Sequence, residues 1–189
     1  MAQAKTLSKA EFKQLLHVTN SCSRYAARDA TMLLFTHFCG LRVGEVAALR
    51  FDDILDANGN VRDEMTLDAA RTKSKRARKI FLPKQMQRQL REYVNGLNKQ
   101  PLHGYLFSTQ KQAHFSANTA TQHLQRLYAR AGIAGATSHS GRRTWLTALS
   151  QRGVSVFVLA DMAGHRSIQT TQRYVTVNDE MKRNAAELI

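Results

Sequence analysis

Ser140-Gly141-Arg142-Arg143 places two arginines where the spacing predicts the first turn of a helix. Positive charge there opposes the helix dipole, at roughly 0.3 to 1 kcal/mol apiece on a surface. The same arrangement turns favourable when an anion sits on the terminus, where free N–H groups and guanidinium forks converge. His139 lies three residues before Arg142, so this H-x-x-R reads as a phosphate seat. Three other segments carry matching residue types. Arg42 stands between an apolar helix and an amphipathic one, with Glu45 three residues on to hold its guanidinium. Arg71 to Lys79 holds six bases in nine residues and no acid. Gly164 to Tyr174 ends with a tyrosine nine residues after His165.

Other chemistries fit poorly. His37 and Cys39 have no second pair at ligand spacing, so packing is the favoured reading for both and no metal is expected. Neither G-x-x-x-x-G-K-[ST] nor G-x-G-x-x-G occurs, so no nucleotide is expected either.

The elements that must position these groups are mostly helices. Ser8 and Glu11 form a capping-box pattern opening a helix to about Thr19. A helix over 24–38 is apolar nearly all round and belongs in the middle of the core. Further helices are predicted over 43–49, 84–97, 116–131, 140–152, 156–163 and 168–174, with Gly40, Gly132, Gly153 and Gly164 as stops. Met65-Thr66-Leu67 and Ile80-Phe81-Leu82 flank the basic run as two strands, which makes that run the arm of a β-hairpin. The expected fold is mainly α with one small antiparallel sheet.

Charge narrows the partner. The chain has 189 residues, with 28 Lys and Arg against 14 Asp and Glu, a net charge of +14. Residues 69–160 hold 16 of the bases and one acid, Glu92, so the excess belongs to that stretch. Such a surface suits nucleic acid, or less well an anionic membrane face, and has little use in an enzyme for small metabolites. At 43% hydrophobic the chain can bury a core. Two cysteines, Cys22 and Cys39, cannot form a disulfide framework, which favours a reducing compartment. No run approaches the ~20 apolar residues of a membrane span, and the first ten residues lack the apolar core of a secretory signal. A cytoplasmic protein is expected.

With these four segments in order, the chain resembles the tyrosine recombinase (phage integrase) family over almost its entire length, as that family's catalytic domain. The G-L-R-x-x-E-x-x-x-L pattern is matched by Gly40 to Leu49. In T-K-x-x-x-x-R-x-h-x-L, Thr72, Lys73, Arg78, Ile80 and Leu82 fall in register. H-x-x-R is matched by His139 and Arg142, and L-G-H-x-x-h-x-T-T-x-x-Y by Ala163 to Tyr174, with Ala163 in place of leucine. Arg143 stands where many members carry a second histidine, Ser138 where proline is frequent, and Phe81 replaces a proline after the hairpin. Counting back from Pro83 favours Lys75 as the family's lysine; counting from Arg78 favours Lys73, for which Ile80 and Leu82 also match.

The resemblance implies cleavage of one DNA strand by Tyr174, giving a 3′-phosphotyrosyl link and a free 5′-hydroxyl, then attack by a partner strand. A phenol that titrates at ~10 is only about 0.1% ionised at neutral pH, so such a nucleophile needs a proton acceptor, here His139. Arg42 and Arg142 would hold the non-bridging oxygens, Lys73 would protonate the leaving oxygen, and His165 would hydrogen-bond the phosphate. Arg71, Lys75, Arg76, Arg78, Lys79, Lys111, Arg126, Arg130 and Arg143 are the expected DNA contacts. No cofactor is implied. The implied partners are double-stranded DNA and further copies of the chain, monomeric in solution and tetrameric on DNA, in the cytoplasm of a bacterium or encoded by a phage or mobile element. The catalytic domain would occupy 1–189, with a 7–177 core and a helix over 178–189 that packs in cis or docks on a neighbour, and with no N-terminal DNA clamp. Two rivals stand beside it: a type IB topoisomerase, which shares the strand chemistry but relaxes DNA as a monomer, and a DNA-binding regulator or excision accessory protein that has the fold without catalysis.

Overall fold

The computed structural model describes residues 4–72, 76–97, 102–175, 177 and 179–187. Helix α1 (Lys9–Cys22) begins where a serine closes it: Ser8 Oγ accepts the Glu11 N–H at 3.1 Å, and the Glu11 carboxylate accepts the Ser8 N–H at 2.9 Å. Two donors that a helix start leaves open are thereby satisfied. Helix α2 (Ala26–Phe38) buries Met32, Leu33, Leu34 and Phe35 in succession, so neighbours must wrap it on all sides. They are α1, α5 (Lys84–Asn95) and α7 (Ser140–Gln151). Between α2 and α5 lie α3 (Val43–Ala47), α4 (Phe51–Ile54) and an antiparallel pair of strands, β1 (Glu64–Leu67) and β2 (Arg78–Phe81). Then come α6 (Ala117–Arg130), which packs on α3, and, after α7, α8 (Val156–Ala163), α9 (Ile168–Gln172) and α10 (Asp179–Ala186). The architecture is the expected one, mainly helical with a two-stranded sheet.

The differences have local causes. The helix predicted over 43–49 stops at Ala47 because the chain turns to pair elsewhere. Leu49 O accepts the Leu106 N–H at 2.8 Å and Arg50 bridges Tyr105, after which α4 starts. Helix α9 ends at Gln172, two residues before Tyr174, which sits in a following turn closed by its own N–H on Thr171 O at 2.9 Å. No helix among the described residues is long and apolar enough to cross a membrane.

Two apolar cores result. The main one draws on α1 to α6 and both strands. The second is small: Trp145, Leu146, Leu159 and Ala163, with Leu149, Val154, Met162 and Tyr174 against them. They meet at Gly40, whose φ of +61° favours glycine and whose Cα lies under the Trp145 ring, so that a Cβ there would fall 2.2 Å from the indole. Gly141 plays the same part between α7 and α2, where a Cβ would meet Thr36 Oγ1 at 2.2 Å.

Candidate active site

Arg42 occupies the cap position before α3, with extended backbone. Glu45, one turn on, accepts the Arg42 main-chain N–H at 2.8 Å and Nη1 at 3.0 Å. The same carboxylate receives both Nη atoms of Arg78, at 2.8 and 2.7 Å, with Arg78 and Glu45 both buried. Burial would raise the Glu45 carboxyl, but Arg78 and then Arg42 outweigh it and hold it below its ordinary range, so it is an anion. Two guanidiniums on one buried carboxylate leave the frame with a net positive charge.

Arg142 completes that frame from the first turn of α7. Its Nη1 donates to Gly40 O, and its Nη2 to Ala163 O at 2.6 Å. The carbonyl that ends α2 and the one that ends α8 therefore fix one fork. Burial, with Arg42 beside it, pushes Arg142 down to about 9, which leaves it charged at neutral pH. Arg42 Nη2 reaches Gly164 O at 3.3 Å, one residue from the Ala163 carbonyl.

His165 follows the left-handed cap Gly164, and its protonation pattern can be assigned from its partners. Nε2 lies 3.0 Å from Arg142 Nη2, and a guanidinium only donates, so Nε2 accepts. The hydrogen is then on Nδ1, which donates to Thr171 Oγ1 at 2.7 Å. Burial, with Arg142 and Arg42 nearby, pushes the imidazole down to about 4, so it is neutral at pH 7. The Tyr174 ring stacks on His165 with centroids 6.2 Å apart. A cleft of about 340 Å³ is lined by Arg42, His139, Arg142, His165 and Tyr174, together with Arg143, Thr170 and Arg173. Four guanidiniums, the imidazoles of His139 and His165 and a phenol around one small space can seat a phosphate and offer it a hydroxyl nucleophile.

The other expected site residues lie in different settings. Lys73 and Lys75 fall outside the described residues. Arg78 stands inside the protein, 8% exposed and committed to Glu45, so burial removes it from the surface that a duplex would meet. Arg71 is clamped bidentately by Asp53 at 2.6 and 2.8 Å and reaches Asp68. Lys79 pairs with Glu64, and Arg76 is exposed. Lys111, Arg126 and Arg130 are exposed around a separate depression of about 800 Å³ with Arg24 and Arg28, at the opposite end of α2 from the cleft. Among the described residues, no group of three His, Cys, Asp or Glu side chains is placed to hold a metal ion. Thr171 and the Gly40, Ala163 and Gly164 carbonyls were not anticipated. The strand alternation that puts Arg78 on the same side as Ile80 was the one available signal for its burial.

Comparisons with known proteins bear on the family and the fold. Residues 5–181 match the model of the phage integrase family. A tyrosine recombinase from Pseudothermotoga lettingae is 33% identical over 159 residues, which is 84% of this chain and 52% of that protein. The crystal structure of XerA recombinase superposes with a TM-score of 0.74 at 23% identity, covering 98% of this chain and 65% of that one. The Tn1549 transposon integrase, solved in complex with transposon right end DNA, gives 0.75 at 17%, covering 99% and 66%. The chain spans about half the length of the curated relatives it matches.

Proposed function

The chain belongs to the phage integrase family of tyrosine recombinases, and from that premise we propose that it cleaves and rejoins DNA strands through a covalent 3′-phosphotyrosyl link on Tyr174. One observation carries the reading: residues from three distant segments, Arg42, then His139 and Arg142, then His165 and Tyr174, line the same cleft.

Tyr174 Oη attacks phosphorus and the bond from phosphorus to the 5′-oxygen breaks. The phenol proton passes to His139, and the departing oxygen takes a proton from Lys73, with Lys75 as its rival. Arg42 and Arg142 meet the charge that develops on the non-bridging oxygens, with forks already fixed by carbonyls and Glu45 and therefore needing little reorganisation. Both Arg142 Nη2 hydrogens are engaged, one by Ala163 O and one by His165 Nε2. An incoming phosphate oxygen displaces His165 from that nitrogen, and the anion's charge then favours an N–H at Nε2, so the imidazole turns from acceptor to donor. The bond energy stays in the phosphotyrosyl link, so religation by a 5′-hydroxyl reverses the same steps. Exchange between two duplexes requires further copies of the chain assembled on DNA. Binding by phosphate contacts makes affinity fall steeply with salt.

The test is a pool of nicked suicide duplexes of randomised sequence, in which the cleaved end diffuses away. Wild type is expected to form a covalent protein–DNA adduct, and Tyr174→Phe none. Adduct that survives Tyr174→Phe, or DNA binding by the wild type without adduct, overturns the reading; the second outcome leaves a non-catalytic DNA-binding protein.

A further inference from the structure

Arg143 has no task in the chemistry above, and its surroundings give it one. It follows Arg142 in the first turn of α7, about 100° round the helix, so the two side chains leave in different directions. Arg142 goes inward to carbonyls, whereas Arg143 lines the cleft beside Tyr174. Its guanidinium carbon lies 6.0 Å from the centre of the Tyr174 ring. Its Nε is buried and has no hydrogen-bond partner. No carboxylate is among the described residues that line the cleft, and Glu45 is committed to Arg42 and Arg78. A guanidinium with a buried, unsatisfied N–H beside a phenol is unfavourably placed while the phenol is neutral, since only the weak attraction of a ring face compensates it. The balance reverses when the phenol ionises, because the side chain beside the guanidinium then carries a full negative charge.

We propose that Arg143 is a positioning residue for the nucleophile: its guanidinium holds the Tyr174 ring in the cleft and stabilises the phenolate, leaving the scissile phosphate to Arg42 and Arg142. The inference rests on Tyr174 being the nucleophile. In cleavage, the phenol loses its proton as Oη bonds to phosphorus and the 5′-oxygen departs with a proton. In religation, the 5′-hydroxyl bonds to phosphorus and the phenolate is the leaving group. Arg143 acts on the tyrosine oxygen in both directions, so it affects both steps by the same factor.

The measurement is the pH profile of adduct formation on a nicked suicide duplex at saturating DNA, from pH 6 to 9.5, for wild type, Arg143→Gln, Arg143→Met and Arg143→Lys, with Tyr174→Phe as the blank. The other charged or titratable groups facing Tyr174 are His165 and Arg173 from its own segment, His139 and Arg142 from α7, and Arg42 from the start of α3; all are common to the four proteins. Removing the charge is expected to slow cleavage about tenfold at pH 7 and to move the midpoint up by about one unit, so that rates converge in alkali. Arg143→Lys is expected to restore most of the shift. Thermal melting identifies whichever neutral variant keeps the fold, and that variant decides. A neutral variant with an unshifted midpoint, including one whose only defect is weaker DNA binding, overturns the role of Arg143. Wild type that binds DNA without forming adduct removes the recombinase reading itself.

Discussion

The arginine side of the cleft and the tyrosine side rest on different foundations. Arg42 and Arg142 project from α3 and α7 where these close on α2, which is buried from Asp29 to Thr36, and a buried Glu45 and two helix-end carbonyls hold their forks. His165 and Tyr174 hang from α8 and α9, whose own core is four buried apolar residues. Polar links cross between the sides at a short turn: Arg142 to Ala163 O and His165, and Arg42 to Gly164 O. Local stability follows buried apolar contact, so the phosphate seat should stay formed while the segment bearing the nucleophile opens more easily. The strand exchange proposed above would call for that division, because the phosphate would have to be held in one place while the group attached to it changes.

Three perturbations test this contrast. Arg142→Ala removes a fork that the proposed chemistry aims at the phosphate and orphans the Gly40 and Ala163 carbonyls that it satisfies. Single-turnover adduct formation should fall by about 10² to 10³, and stability in urea by about 2 kcal/mol. A rate within tenfold of wild type would remove Arg142 from the phosphate seat. Leu159→Ala cuts into the small core alone, where truncating a buried leucine costs about 2 to 5 kcal/mol. Amides of α8 and α9 should then exchange with deuterium at least tenfold faster, while those of α2 keep their protection. Equal acceleration in α2 would mean that the two cores unfold as one. The smallest effect is the pH dependence of the tyrosine side. His165 titrates at about 4 in the folded chain, against 6.5 ordinarily. A histidine depressed in this way contributes stability that is complete above about 6.5 and is lost as pH falls toward 4, because the unfolded chain takes up the proton first. Exchange of α9 amides, corrected for intrinsic rates, should speed up across that window in wild type and not in His165→Gln. A flat wild-type profile would contradict the neutral Nδ1–H assignment.

Most of the helices were legible because their signals are local. The Ser8–Glu11 box, the run of apolar residues in α2 and the glycine stops at Gly132, Gly153 and Gly164 act within a turn of where they stand. The segment after Ala47 was not, since what ends α3 is pairing with Leu106 and Tyr105, more than fifty residues away. The site divides in the same way. Spacing alone brought His139 beside Arg142 and Glu45 under Arg42, whereas Arg78, 33 residues from Glu45, sat in a run of bases that reads as surface. Charge type outweighed strand alternation in that reading. Once β2 pairs with β1, Arg78 must face inward with Ile80.

Trp145 is the chain's only tryptophan, and it lies over Gly40, where the two cores join. The molecule thus carries an optical reporter at its own seam. Emission from that indole, read without a label, reports whether the packing at this seam changes when duplex is added.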